Sequence, residues 1–475
     1  MRHLLPTARR PGARALVLAL AGLLAACAAP APPAGRAVAP VLPERWSAAD
    51  PASSGALPAE EGWWTRFGSA ELDALVARVQ SSSPDLAAAA ARLRQAQARA
   101  RQAGASRWPA LEAQVQVRGQ GGLGGQAVDA EPRHALGLSA AWEWDLWGRL
   151  EAGRDAAHAA VQASALDARA LRLLLTAAAA DAWLEAAGLA ERIRLGEASQ
   201  AAAERIAALT EVRLRAGRAT ALEASRQRGL VQAQRAQVQA LHQRWAELRA
   251  TLTVLTGRPD PGPTPTSRLS ELTLPAVAPG LPASLLARRP DIARAAALLA
   301  AADAQRLAAE AARWPRITLT AGLAAESASS RTLLRDPAYA LAAGLVAPLL
   351  DGGRLAAERD EAEAVQDERL AAYRHAVVQA FAEVDAALQS QAALRARREA
   401  QAGALAEARR AHRLAETRWR AGADDALALL DAQRTLFQAE DEAASLHQAL
   451  LQMQVRLYRV LGGGWRAPGL QRAVW

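Results

Sequence analysis

The chain has 475 residues, enough for two or three ordinary domains. Its 57 basic side chains are all arginine, set against 48 acidic ones, for a formal charge of +9. The lack of lysine excludes a Walker A phosphate loop and a pyridoxal imine, since both need that amine, and a single cysteine excludes an intrachain disulfide.

Residues 1–26 read as a signal peptide. Arg2, Arg9, Arg10 and Arg14 form a basic start, and the apolar run Ala15–Leu24 is too short to span a bilayer. The run ends in "LAAC", which resembles the lipobox of bacterial lipoproteins and predicts cleavage and lipidation at Cys27. The competing reading is an ordinary secretory signal with an incidental cysteine. Residue 28 is Ala rather than Asp, which by the usual bacterial sorting pattern predicts transfer to the outer membrane. Loss of the leader removes four arginines and no acid, so +9 falls to +5 and the high pI gives no case for nucleic acid. Beyond the leader, no apolar run is expected to approach the roughly 20 residues of a membrane helix. Residues 27–60, rich in Pro, Ala and Ser, read as a tether.

The rest of the chain is written twice. "EVRLRAGRATAL" at Glu211–Leu222 returns as "ETRWRAGADDAL" at Glu416–Leu427, identical at seven of twelve positions with an offset of 205. Pro84-Asp85 returns at Pro290-Asp291 and Trp108-Pro109 at Trp314-Pro315, both at offset 206. Arg149-Leu150 returns as Arg354-Leu355 at offset 205. These matches define two units, 61–257 and 283–466, joined by the proline-dense segment 258–282, where no helix survives, and followed by a short tail, 467–475.

Each unit has the same order. A helical stretch (70–107 and 283–313) precedes two short alternating segments. A long Ala-, Leu- and Arg-rich helix follows (148–214 and 353–419), then a break at Arg-Ala-Gly, then a further helix (220–256 and 425–461). A rod of some 66 residues is about 100 Å long and must pack lengthwise against other helices. Gly217 and Gly422 fall where such a helix would stop and reverse, so Arg215, Gly217, Arg420, Gly422, Asp424 and Asp425 mark two hairpin tips.

The alternating segments are Leu111–Gln120, Leu136–Leu146, Arg316–Glu326 and Ala340–Leu350, the last weakened by Pro348 and by a missing polar face. Their length and period suit transmembrane β-strands, with Trp142, Trp144 and Trp147 at an interfacial aromatic girdle. A soluble sandwich alternates equally well. Glycine-rich 119–125 then reads as an exposed loop rather than a phosphate cradle. A membrane barrel must close and needs about 8 strands or more; four cannot do it, so the chain is expected to oligomerise.

At this point the chain resembles the TolC-like outer-membrane efflux proteins, in the OprM/NodT-type lipoprotein branch. The resemblance rests on "RRPDIARAAALLAAADAQ", "RWPRITL", "LLDGGRLAAERDEA", "FAEVDAAL", "ALLDAQRTLFQAE" and "LYRVLGGGW", and it covers about residues 60–466. It implies a mainly α fold with a β-barrel part: a duplicated unit of long helical hairpins plus two transmembrane strands. It further implies a homotrimer sharing one 12-stranded outer-membrane barrel and a periplasmic α-helical cylinder, working with a periplasmic adaptor and an inner-membrane pump of the resistance-nodulation-division type. By the family's motif, Leu427, Asp431 and Arg434 would ring the periplasmic gate, with Leu222 and Arg226 at the matching positions of the first unit. Arg226 facing Asp431 of an adjacent hairpin would form a weak latch; the alternative is that Asp431 and Arg434 are solvated helix-surface charges. Asp424 and Asp425 either favour the N-terminus of the following helix or contact the adaptor.

Three other readings compete. The seven histidines lack metal-ligand spacing and no Gly-x-Ser-x-Gly elbow appears, so an enzyme is disfavoured, and no cofactor is expected beyond a covalent lipid on Cys27. A periplasmic coiled-coil adaptor shares the lipobox and hairpins but not the paired strands. A type I secretion conduit shares the whole pattern. Only two methionines, Met1 and Met453, weaken a copper- or silver-efflux reading.

Overall fold

The computed structural model describes residues 40–48, 60–119, 132–260, 262, 264–266, 268–423 and 426–465. Met1–Pro40 form a separate unit of which only Pro40 is described; everything else belongs to Val41–Trp475. The leader, Cys27, most of the glycine-rich loop, Asp424, Asp425 and the C-terminal tail therefore lie outside the described residues.

The duplication is written into the elements. The first unit runs α1 (Ala70–Ser82), α2 (Pro84–Ala105), β1 (Ala110–Arg118), β2 (Arg133–Trp144), α3 (Arg149–Arg215) and α4 (Ala221–Thr256). The second runs α5 (Leu285–Arg288), α6 (Pro290–Ala311), β3 (Arg316–Ser327), β4 (Ala338–Val346), α7 (Arg354–Arg420) and α8 (Ala426–Val460). Helices α3 and α7 have 67 residues each, about 100 Å at 1.5 Å per residue. The two opening stretches, read from sequence as single helices, are each broken before a proline. Pro84 and Pro290 sit at the first turn of α2 and α6, where a missing N–H costs nothing, and the residues before them are extended.

The strands form one antiparallel sheet in the order β1-β2-β3-β4. Its register lines up the apolar sets: Ala113 opposes Leu138, which opposes Leu323, which opposes Tyr339. The next row is Leu111, Ala140, Ala321 and Leu341. The opposite face carries Glu112, Gln114 and Gln116 from β1, but only small residues such as Ala340 and Ala342 from β4. Strand β4 stops at Val346, two residues short of Pro348, which cannot donate to a ladder.

The main core lies part-way along the helices, where α1, α3, α7 and α8 meet. Trp63 stacks on Tyr458 with ring centroids 4.9 Å apart, and Phe67, Leu72, Val76, Trp183, Val384 and Val455 are buried with them. Alanines of α3 (Ala179, Ala180, Ala186, Ala187) are also buried there and allow close approach. One close approach is at Gly188, where an added Cβ would overlap the Gln448 side chain of α8.

This core corrects one expectation. A window in α3 is long and apolar enough to cross a membrane by composition, yet 67% of it is buried inside the protein, so burial against the neighbouring helices accounts for its character. The linker and the end of the tether are also fastened down. Leu269, Leu272 and Val277 join the core. Trp46 stacks on Phe381 of α7 at 5.3 Å and donates to the Gly280 carbonyl at 2.7 Å. Ser47 donates through its N–H and hydroxyl to Asp385 of α7.

Candidate functional site

The two tips share one stop mechanism. At the end of α3, Gly217 takes φ 68° and the Arg218 N–H reaches the Arg213 carbonyl at 2.8 Å. At the end of α7, Gly422 takes φ 74° and the Ala423 N–H reaches the Arg418 carbonyl at 2.9 Å. Both are left-handed glycine caps of the Schellman type, which satisfy the last carbonyls and turn the chain back. Helix α4 then restarts on a capping box: the Glu223 N–H donates to Thr220 Oγ1 at 3.2 Å, and the Glu223 carboxylate takes the Thr220 N–H. Arg215 is exposed at the end of α3, and Arg420 pairs with Glu416 one turn back at 2.6 Å.

The residues expected at a gate are each exposed. Leu222 is 59% exposed and Leu427 42%, and Arg226, Asp431 and Arg434 are exposed as well. The opposite side of α8 buries Leu429, Leu430 and Gln433. The gate set is thus on the side of the hairpin not used for packing within the chain. Among the described residues, Arg226 and Asp431 form no ion pair within one chain.

Sequence reasoning missed the contact that joins the two tips. The Arg213 guanidinium lies 4.0 Å over the Trp419 ring and donates to the Trp419 carbonyl from both Nη1 and Nη2 at 3.2 Å, with a longer contact to the Arg420 carbonyl at 3.4 Å. A cation therefore sits at the carbonyl end of α7, where the helix dipole favours it, and on an aromatic face. Trp419 is 4% exposed, in a small cluster with Ile206 and Leu429. The signal available in sequence was the divergence at this offset: the first unit has Leu214 where the second has Trp419.

At the other end, the apolar strand face is bare. Leu111, Val115 and Val117 of β1 are 66%, 75% and 62% exposed, and Tyr339, Leu341 and Leu345 of β4 are 80%, 76% and 69% exposed. A soluble protein rarely leaves so broad an apolar face uncovered. Trp144 is half exposed beside half-buried Trp142, whose indole N–H donates to the Arg107 carbonyl at 2.8 Å. Trp147 turns inward: it stacks on Trp314 at 5.3 Å and donates to the Pro315 carbonyl. The sheet passes into α3 through Asp145, whose carboxylate accepts the Leu150 and Glu151 N–H groups, and through a bidentate Arg149–Glu143 pair.

An apolar-faced sheet with two unpaired edges, continuous with two helices about 100 Å long that turn back at their far ends, defines an outer-membrane channel subunit. The chain belongs to the outer membrane efflux protein family, which matches residues 75–258 and 281–463, one stretch in each unit. It is similar to the pyoverdine export outer membrane protein OpmQ of Pseudomonas putida, 40% identical over 95% of this chain and 97% of that one. It is 34% identical to outer membrane protein OprJ of Pseudomonas aeruginosa, over 96% and 97% of the two chains. Among solved structures it resembles the open state of the MtrE outer membrane channel of Neisseria gonorrhoeae, with a TM-score of 0.83 at 25% identity, covering 91% of this chain and 98% of that one. The protein is accordingly an efflux channel of the outer membrane whose helical part extends into the periplasm, as the resemblance in its motifs implied.

Proposed function

We propose that three copies of the chain form the channel: three sheets of four strands close into one barrel of twelve, with β4 of each protomer paired to β1 of the next. The observation that carries this is the sheet itself, whose outer edges are unpaired in one chain while its apolar face is bare. In lipid such edges would leave backbone groups without partners. The duct is passive. An inner-membrane pump of the resistance-nodulation-division type, joined through a periplasmic adaptor, chooses the cargo and delivers small molecules, drugs and toxic compounds among them. A lipid on Cys27 adds an anchor in the outer membrane. At the periplasmic end, three copies of Leu427 and Asp431 face the axis, with Arg434, Leu222 and Arg226 completing the ring. The tip surfaces around Arg215, Gly217, Arg420 and Gly422, with Asp424 and Asp425, meet the adaptor.

The test is made on the detergent-extracted protein. Light scattering is expected to give three chains per particle, and planar-bilayer recordings a small resting conductance. Asp431→Ala is expected to raise that resting conductance about two- to tenfold by removing a charged ring from the constriction. A monomeric particle would overturn the shared barrel, and an unchanged conductance would remove Asp431 from the gate.

A further inference from the structure

Where the sheet passes into the helices, the first unit holds a cavity of about 780 Å³ between the end of α2, the foot of β2 and the start of α3. Arg101, Arg107 and Arg154 line it with Trp108 and Trp142, and among the described residues no carboxylate does. The cavity continues the apolar strand face. Leu138, Ala140 and Trp142 alternate along one side of β2, and the Trp142 indole N–H is fixed on the Arg107 carbonyl at 2.8 Å. Because the helices extend into the periplasm, this foot of the sheet lies at the headgroup level of the periplasmic leaflet. Glu151 lies 3.9 Å from Arg107 and 3.3 Å from Arg154, and Asp155 lies 2.7 Å from Arg154. Two carboxylates beside three cations leave one positive charge over. Among the described residues Arg101 forms no ion pair.

The second unit shows the same place closed. Its cavity is about 300 Å³ and is lined by Glu310, Arg313 and Asp351. Arg101 becomes Leu307 and Gly104 becomes Glu310, which pairs with Arg313 at 3.3 Å. Trp108, 76% exposed, becomes Trp314, which is covered by Trp147 in a stack at 5.3 Å. The duplication therefore supplies its own control: one copy is open and cationic, the other filled and neutralised.

On the trimeric reading proposed above, the cavity also stays open when the ring closes. The repeat-shifted counterpart of Trp147 is Gly352, so a neighbouring protomer brings no ring to Trp108. Leu307, the counterpart of Arg101, has α3 and α7 packed beside its helix within one chain and is still 48% exposed.

We propose that the cavity of the first unit is a binding site for one anionic phospholipid of the periplasmic leaflet per chain. Arg101 and Arg107 take the phosphodiester, to which a guanidinium fork is matched in shape and charge. Trp108 and Trp142 lie along the upper acyl chains, where aromatic rings settle at a membrane interface. The surplus cation selects a lipid of net charge −1, such as phosphatidylglycerol, over zwitterionic phosphatidylethanolamine.

Native mass spectrometry of the detergent-extracted full chain, titrated with each of the two lipids, tests this. Phosphatidylglycerol is expected to be retained at one per chain and preferred severalfold over phosphatidylethanolamine. Arg101→Gln is expected to weaken its retention about fivefold, the factor for one arginine near an anionic headgroup. Gly104→Glu, which imports the acid of the second unit at a position where an added Cβ meets nothing within 4 Å, is expected to abolish the preference. Arg313→Gln in the second unit is expected to leave retention within about twofold, since that cation is already paired. Equal retention of the two lipids by the parent, or undiminished retention in both first-unit variants, overturns the proposal. Displacement by an equal concentration of glycerol phosphate, which has no acyl chains, would make this a site for soluble phosphates and sink the lipid. Dissociation of the oligomer by Arg101→Gln would assign that cation to the neighbouring chain and likewise overturn the site. A monomeric parent that still holds one phosphatidylglycerol sinks the ring alone.

Discussion

The same long helices behave differently at their middles and at their tips. In the middle they are joined by aromatic stacking around Trp63 and Tyr458, by buried alanines, and by Arg289, which is 8% exposed. Arg289 reaches three elements at once: Asp291 of α6 at 3.0 and 2.6 Å, Glu383 of α7 at 2.9 Å, and the Val460 carbonyl at the end of α8 at 3.1 Å. At the tips the buried clusters shrink to three or four residues, such as Ile206, Trp419 and Leu429. Stability scales with buried area and satisfied charge, so the middle supplies most of it and the tips can rearrange at small cost. A channel needs that division, since its closable end must move without loosening the part that holds the barrel to the helices.

The largest expected effect tests the middle. Arg289→Ala leaves Asp291 and Glu383 without their cation and the Val460 carbonyl without a donor. It is expected to destabilise the chain by roughly 2–4 kcal/mol, below the fully buried figure because both carboxylates keep some surface in water. A lower temperature for loss of the oligomeric band on semi-native gels would show it, and an unchanged temperature would break the contrast.

A second test uses pH. Asp181 of α3 has one carboxylate oxygen buried without a partner, and burial pushes its pKa up to about 7, with Arg459 pulling down and Glu185 adding to the rise. Because the folded value lies above the unfolded value of about 3.9, the folded state holds this proton longer. Stability from this group is present below about pH 4 and is lost as pH rises toward 7. Asp181→Asn is expected to flatten that dependence and to stabilise the protein at pH 8 by up to about 4 kcal/mol per chain, read as the difference in melting between pH 5 and pH 8. A variant that melts like the parent at both pH values would remove Asp181 from the account.

The smallest effect belongs to the tip. Thr220→Ala removes one side of the capping box at the start of α4 and is expected to cost about 1 kcal/mol locally. Hydrogen exchange should quicken at 221–224 while the melting of the whole protein stays put. A fall in global melting would mean the tip is coupled to the middle more tightly than its thin clusters suggest.

Much of this was legible in the sequence, and the reason is the duplication. The Arg-Ala-Gly break places the C-terminal ends of α3 and α7 to within one residue, because glycine caps and unbroken helix formers are local signals. Alternation placed four strands, and the register then lined up the faces it implied. The breaks at Ser83 and Arg289 were also local, since Pro-Asp pairs at a first helical turn mark them, yet the strong helix formers on either side hid them. What escaped was long-range. Arg213 and Trp419 are 206 residues apart, Ser47 and Asp385 are 338 apart, and no spacing rule links such positions. Nor does the gate set announce its neighbours within the chain: Asp431 and Arg226 stand on exposed surface whose partners, on the trimeric reading, belong to other protomers.

Helices α3 and α7 run without interruption from the foot of the sheet, past the core, to the tips. Each is therefore a lever with its fulcrum in the packed middle. With roughly 50 Å of rod beyond that fulcrum, a tilt of one degree sweeps the far end through roughly 1 Å, and a few degrees applied by a partner would change a constriction by the width of an atom.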